Sequence, residues 1–148
     1  MRGSGPTDPA EAHFDKGSWG YDGSAWRKLQ LLWGYYDTYV EANSGVSAGA
    51  ATETVLLGAV PAGYVYVVNT IVVLDNTTDP TKVEGVVVKG GTDVPVFTKL
   101  APGINAWYAF VLSVVLKEGD YVKAWFTGSV AGDALHLRAE GYKMRVNL

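Results

Sequence analysis

The residues of this chain that can do chemistry are few and far apart. Cysteine is absent and histidine occurs twice, at His13 and His136. Without a thiol there is no cysteine nucleophile, thiolate metal ligand or disulfide. No Gly-x-Ser-x-Gly elbow offers a serine nucleophile. Two isolated histidines without acidic companions do not fill a transition-metal shell, and His136, on the polar side of an alternating run, reads as a surface or interface residue. Asp75-Asn76-Thr77-Thr78-Asp79 is rich in oxygen but lacks the glycine and distal glutamate of an EF-hand loop, so it reads as a turn. Asn76-Thr77-Thr78 also fits the glycosylation sequon, which has meaning only in an exported chain. Glu53, Glu84, Glu118 and Glu140 have no spacing that singles out a glycosidase pair. The expectation is no catalytic residue, no metal site and no cofactor, and a protein that is not an enzyme.

One concentration of side chains remains, and it is aromatic. Phe14, Trp19, Tyr21, Trp26, Trp33, Tyr35, Tyr36 and Tyr39 crowd the first quarter of the sequence. Aromatic side chains bury much area at low entropy cost, which makes them interface anchors. The interface candidates are Trp19, Tyr21, Trp26, Trp33, Tyr35 and Tyr36, joined by Tyr66, Tyr108 and Phe110 from the apolar runs further on. The same chemistry also suits plugging the end of the domain, or stacking on sugar rings.

The elements that must carry these side chains are strands. Residues 1–42 form an extended arm, rich in glycine at its start, in which Asp22-Gly23 suits a tight turn between short strands around Trp19 and Trp26. Residues 43–148 form the folded body, opening with a small polar stretch, 43–51, that reads as a loop. Apolar runs then recur at Thr52–Ala59, Tyr64–Leu74, Val83–Lys89, Val94–Leu100, Ala106–Leu116, Asp120–Thr127 and Ala134–Val146. Between them Pro61-Ala62-Gly63, Gly90-Gly91, Pro102-Gly103, Glu118-Gly119-Asp120 and Gly132-Asp133 provide turn chemistry. The fold class is all-β, a jelly-roll-like β-sandwich of about eight strands behind an N-terminal arm.

Strand parity sharpens this picture. In the last run Leu135, Leu137 and Ala139 face the core, with His136, Arg138 and Glu140 outward. Beyond Gly141 the apolar residues are Tyr142, Met144 and Val146, which predicts a bulge at Gly141 that turns them inward. Two runs are apolar on both faces. In Tyr64–Leu74, Val65, Val67, Ile71 and Val73 oppose Tyr64, Tyr66, Val68, Val72 and Leu74. In Ala106–Leu116, Trp107, Ala109, Val111 and Val115 oppose Tyr108, Phe110, Leu112, Val114 and Leu116. A two-layer sandwich buries one face of each sheet, so the second faces call for a covering surface, a second subunit or the arm.

The totals set further bounds. At 148 residues the chain is one domain by size, and 48% hydrophobic residues suffice for a core. A net charge of -3 without any cluster of Lys and Arg argues against nucleic acid. The apolar runs are shorter than the roughly 20 residues of a membrane helix. Met1-Arg2-Gly3-Ser4-Gly5 resembles an expression-tag leader and carries no functional weight.

Two segments resemble known families. Leu116-Lys117-Glu118-Gly119-Asp120-Tyr121-Val122 resembles the Leu-x-x-Gly-Asp-x-Val hairpin of C1q- and TNF-like jelly rolls, which implies a trimer. Gly20-Tyr21-Asp22-Gly23-Ser24-Ala25-Trp26-Arg27-Lys28-Leu29 is similar to the Tyr-Asp-Gly-x-x-Trp-x-Lys segments of tailed-phage structural proteins. With Glu140–Val146 closing the last strand, the chain from about Gly17 resembles small virion proteins of the tail-fibre and capsid-decoration kind. The resemblance implies a homotrimer located in the virion, whose arm contacts neighbouring subunits, a major capsid protein or another virion protein. The lack of a long fibrous shaft favours decoration over a fibre. The alternative is a carbohydrate- or receptor-binding module, with a glycan as partner. No nucleic acid or membrane partner is expected.

Overall fold

The structure is a computed structural model that describes Ser18–Tyr21, Trp26–Leu29 and residues 36–145. The chain divides into two units, residues 1–36 and 37–148. In the first, β1 (Ser18–Tyr21) and β2 (Trp26–Leu29) form an antiparallel ribbon in which Tyr21 pairs with Trp26 and Ser18 with Leu29. The paired strands expected around Trp19 and Trp26 are therefore present; the Asp22-Gly23 turn lies outside the described residues.

The second unit is a β-sandwich. Its strands are β3 (Tyr36–Val46), β4 (Thr52–Leu56), β5 (Tyr64–Asp75), β6 (Lys82–Lys89), β7 (Thr92–Leu100), β8 (Tyr108–Leu116), β9 (Tyr121–Thr127) and β10 (Ala134–Arg145). They form two four-stranded sheets, β3-β10-β5-β8 and β4-β9-β6-β7. Apart from the β6-β7 hairpin, consecutive strands alternate between the sheets, which is the strand order of a jelly roll. The core between the sheets is built from Val68, Ile71 and Val73 of β5, Val83 and Val87 of β6, Val122, Ala124 and Phe126 of β9, and Leu135, Leu137 and Ala139 of β10. No helix among the described residues is long and apolar enough to cross a membrane.

The turns between β4 and β10 fall where glycine and proline predict them, and the left-handed backbone of Gly63, Gly90, Gly91, Gly119 and Gly132 fits them. The stretch from 43 is different: β3 runs on through Asn43-Ser44-Gly45-Val46 where composition predicts a loop. Asn43 ties this strand to the opposite sheet, its Nδ2 donating to the Leu56 carbonyl at 2.7 Å. The loop proper is 47–50, and Glu53 organises it by accepting the amides of Ala48 and Ala50 at 2.8 and 2.9 Å.

Parity in β5 and β10 departs from the sequence expectation. Glu140 pairs with Thr70 but Gly141 with Val68, so the extra residue is Asn69 in β5, across from the predicted bulge at Gly141. β5 therefore changes face at Asn69. Tyr64, Tyr66 and Val68 share the core side with Ile71 and Val73, and Val65, Val67, Val72 and Leu74 face outward. β10 itself alternates without interruption, so Tyr142 and Met144 pair with the outward Val67 and Val65 rather than turning inward. Gly141 is required where the bulge presses on it: a Cβ there would sit 1.9 Å from the Val67 carbonyl oxygen.

Candidate assembly edge and outer face

The Leu116–Val122 segment is a structural clamp. Leu116 and Val122 enter the core, Gly119 takes φ +82°, and the buried Asp120 joins two turns. Its Oδ2 accepts the Lys117 amide at 3.0 Å and its Oδ1 accepts the Gly90 amide at 2.9 Å. Burial pushes this carboxyl up, but the backbone bonds from Lys117 and Gly90, aided by the Lys117 and Lys89 charges, outweigh burial and hold it below its ordinary range. The motif thus closes the β8-β9 turn onto the β6-β7 turn.

The Asp75–Asp79 stretch is likewise a pinned turn. Asp75 Oδ1 accepts the Thr77 amide at 3.2 Å, Thr77 Oγ1 accepts the Ala134 amide at 3.2 Å, and the Thr78 hydroxyl donates to Asp133. Asp75 is buried with Oδ2 lacking a hydrogen-bond partner, and burial first, then the Asp133 and Asp79 charges, pushes its carboxyl up. Among the described residues no three of His, Cys, Asp and Glu converge to hold a metal ion.

The outer faces of the two sheets differ in character. On β4-β9-β6-β7 the outward residues include paired charges: Lys82 with Glu84 at 2.8 Å, and Lys123 with Asp93 at 2.8 Å, while Lys123 also lies over Trp125. The other outer face carries Val40 and Val46 of β3, Trp107 and Val111 and Val115 at β8, and one ion pair, Arg138–Glu140 at 2.7 Å. The two strands that read as apolar on both faces separate here. The outward Val67, Val72 and Leu74 of central β5 are buried within this chain. β8 lies at the sheet edge and has cover on one flank only. Its Val111 is 87% exposed and its Val115 53%.

Edge strands present unpaired backbone groups, and soluble proteins normally blunt them with charge, proline, bulges or brevity. β3 carries Asp37 and Glu41, and β4 has five residues and Glu53. β7 carries Asp93, Pro95 and Lys99, with a register shift opposite Gly85 and Val86. β8, Tyr-Ala-Phe-Val-Leu-Ser-Val-Val-Leu, has no charge, proline or glycine over nine residues, and its one irregularity is a register shift against β5 at Leu112-Ser113, opposite Asn69.

The interface candidates from the sequence fall in several places. Trp19 and Tyr21 lie on β1, Trp26 on β2 and Tyr36 at the start of β3, while Trp33 and Tyr35 lie outside the described residues. Tyr66, Tyr108 and Phe110 lie on the inner side, half-buried. Tyr66 packs on Tyr39 with ring centroids 4.5 Å apart, and Phe110 stacks on Phe97 at 3.4 Å. The Tyr108 hydroxyl accepts the Gly103 amide at 2.7 Å, with Lys99 above its ring. Tyr39 is a core residue whose hydroxyl donates to Glu41, and burial first, then that carboxylate, raises its pKa. The open residues are Trp107, Val111 and Val115, which parity alone had placed on one face without marking them as contacts. The missing signal was β8's uncharged composition beside an edge position.

No protein-family profile matches the chain, and no curated protein matches it in sequence. Among solved structures, a chain from the disulfide-linked pili of Bacillus endospore appendages has TM-score 0.44 and 17% identity, over 82% of this chain and all 100% of that one. A chain of infectious bursal disease virus, Gx strain, has TM-score 0.33 and 8% identity over 87% of this chain. One from the Gt strain has TM-score 0.33 and 12% identity over 86%. This chain spans 46% and 36% of those viral chains.

Proposed function

We propose that this is a non-enzymatic structural protein whose jelly roll associates with copies of itself along β8, as a subunit of a larger assembly. The observation that carries the reading is the β8 edge, free of charge, proline and glycine, with Val111 and Val115 exposed beside it. A second copy offers what that edge lacks: an extended strand for its free amides and carbonyls, and an apolar surface for its valines. Each fully buried valine contributes about 1.5–3 kcal/mol, and each backbone hydrogen bond about 1 kcal/mol.

The finer reading is a homotrimeric capsid decoration protein located in the virion. It draws on the resemblance of the Gly20–Leu29 segment to tailed-phage structural proteins and of the Leu116–Val122 hairpin to trimeric jelly rolls. In this reading the arm is shorter than the 1–42 expected from sequence, because β3 (Tyr36–Val46) belongs to the sandwich. The segment before β3, with Trp19, Tyr21, Trp26, Trp33 and Tyr35, contacts a neighbouring subunit or the major capsid protein together with Tyr36. Size-exclusion chromatography with light scattering tests both levels. The full chain is expected to elute as an oligomer, as a trimer in the finer reading. Val111→Lys/Val115→Lys is expected to elute as a folded monomer. A monomeric full chain, or an oligomer indifferent to the double substitution, would overturn the β8 reading; an oligomer and capsid binding indifferent to loss of residues 1–35 would overturn the role of the arm.

A further inference from the structure

The same outer face holds a cleft that subunit association along the β8 edge does not require. Trp107 precedes β8 and His136 opens the outward row of β10; their rings lie 6.1 Å apart at an angle of 43°. The register sets His136 beside Leu74 and Tyr108 beside Val73, so the two rings approach across β5. Together with Ala42, Asn43 and Ser44 of β3 and Arg138 of β10, they line an open cavity of about 320 Å³.

The cleft combines one broad aromatic wall with mixed hydrogen-bonding groups. Trp107 is 58% exposed, an uncommon position for so large an aromatic side chain. Around it stand an imidazole, a serine hydroxyl and a guanidinium, donors and acceptors together. The Arg138 charge is offset by Glu140 at 2.7 Å, so the rim is close to neutral. Asn43 is held by its own bonds, to the Leu56 carbonyl at 2.7 Å and from the Ser44 amide at 2.9 Å, which fixes that side of the cleft.

We infer that this cleft binds a neutral pyranose unit of a glycan, stacked by its C–H face on Trp107 and hydrogen-bonded through its hydroxyls to His136, Ser44 and Arg138. A lipid tail would leave those polar groups unpaired. A phosphate or a nucleic acid would need a cationic surplus, which the Arg138–Glu140 pair removes. A sugar ring has one apolar face and a rim of hydroxyls, the complement of this lining.

An array of neutral hexose and N-acetylhexosamine oligosaccharides, with sialylated glycans beside them, tests the inference on the full chain. A neutral glycan is expected to be retained and, in titration, to shift the Trp107 indole resonance. Trp107→Ala and His136→Ala are each expected to weaken binding about tenfold or more, while Trp125→Ala leaves it unchanged. Elution volume and melting temperature report folding and assembly separately, and Trp107→Ala is expected to alter neither. Retention of no glycan, retention of acidic glycans alone, or binding indifferent to Trp107→Ala would overturn the inference and leave the self-association of β8 standing.

Discussion

Asp120 and Asp75 are both buried carboxylates, and their surroundings push them in opposite directions. Asp120 is fed by two backbone amides, so its folded-state pKa lies below the unfolded value of about 3.9. Its stabilising contribution is therefore present above that value and is lost as pH falls through the depressed folded pKa. Asp120→Ala leaves the Lys117 and Gly90 amides without their acceptor and is expected to cost about 1–3 kcal/mol in urea unfolding at pH 7. Asp75 has a raised pKa and an unpaired oxygen, so its ionisation weakens the fold as pH rises from the unfolded value through the folded one. Asp75→Asn is thus expected to stabilise the fold at pH 7 by about 1 kcal/mol, read as a higher urea midpoint, and to lose that advantage below about pH 4. A midpoint that falls at both pH values would contradict this. The turn at Asp120 was legible in the sequence because Glu118-Gly119-Asp120 lies between two apolar runs, but the carboxylate's burial and its bond to Gly90 were not. Nor was the burial of Asp75, since the same five residues spell an exposed turn as readily.

At the scale of elements, strand positions from β4 to β10 were legible because each is bracketed by glycine or proline in a turn. Facing was less so. Where valines and tyrosines occupy both sides of β5, alternation carries no signal, and Asn69, the bulged residue, has no mark of its own. Gly141 was the visible trace of that bulge, on the neighbouring strand. Its replacement by alanine is expected to destabilise the chain by about 2–3 kcal/mol, since the added methyl meets the Val67 carbonyl and two strands must part. Gly132→Ala, at φ +94° but in open space, is the comparison, with an expected cost of about 1 kcal/mol. Equal losses at the two glycines, read by denaturant melts, would show that the bulge is not pressed against β10. The second half of β3 escaped reading for a related reason: Asn43-Ser44-Gly45 has the composition of a loop, and the bond from Asn43 to Leu56 that ties it to the other sheet spans the sandwich.

The sandwich has four edge strands, β3, β8, β4 and β7, of which β8 alone carries no charge, proline or glycine, its one irregularity being the register shift opposite Asn69. Sequence parity already put Val111 and Val115 together; what it lacked was strand order, which makes β8 an edge and β5 a covered centre. An association built on valines and backbone hydrogen bonds should be nearly indifferent to salt. The oligomer is therefore expected to persist at about 1 M sodium chloride, where the screening length is about 3 Å and an interface made of surface ion pairs would loosen. Hydrogen exchange of the β8 backbone reads the central claim most directly. Amides between Tyr108 and Leu116 that do not bond to β5 should exchange slowly in the concentrated full chain and rapidly on dilution or in Val111→Lys/Val115→Lys. Rapid exchange of those amides at every concentration, with the rest of the sandwich protected, would contradict assembly along β8.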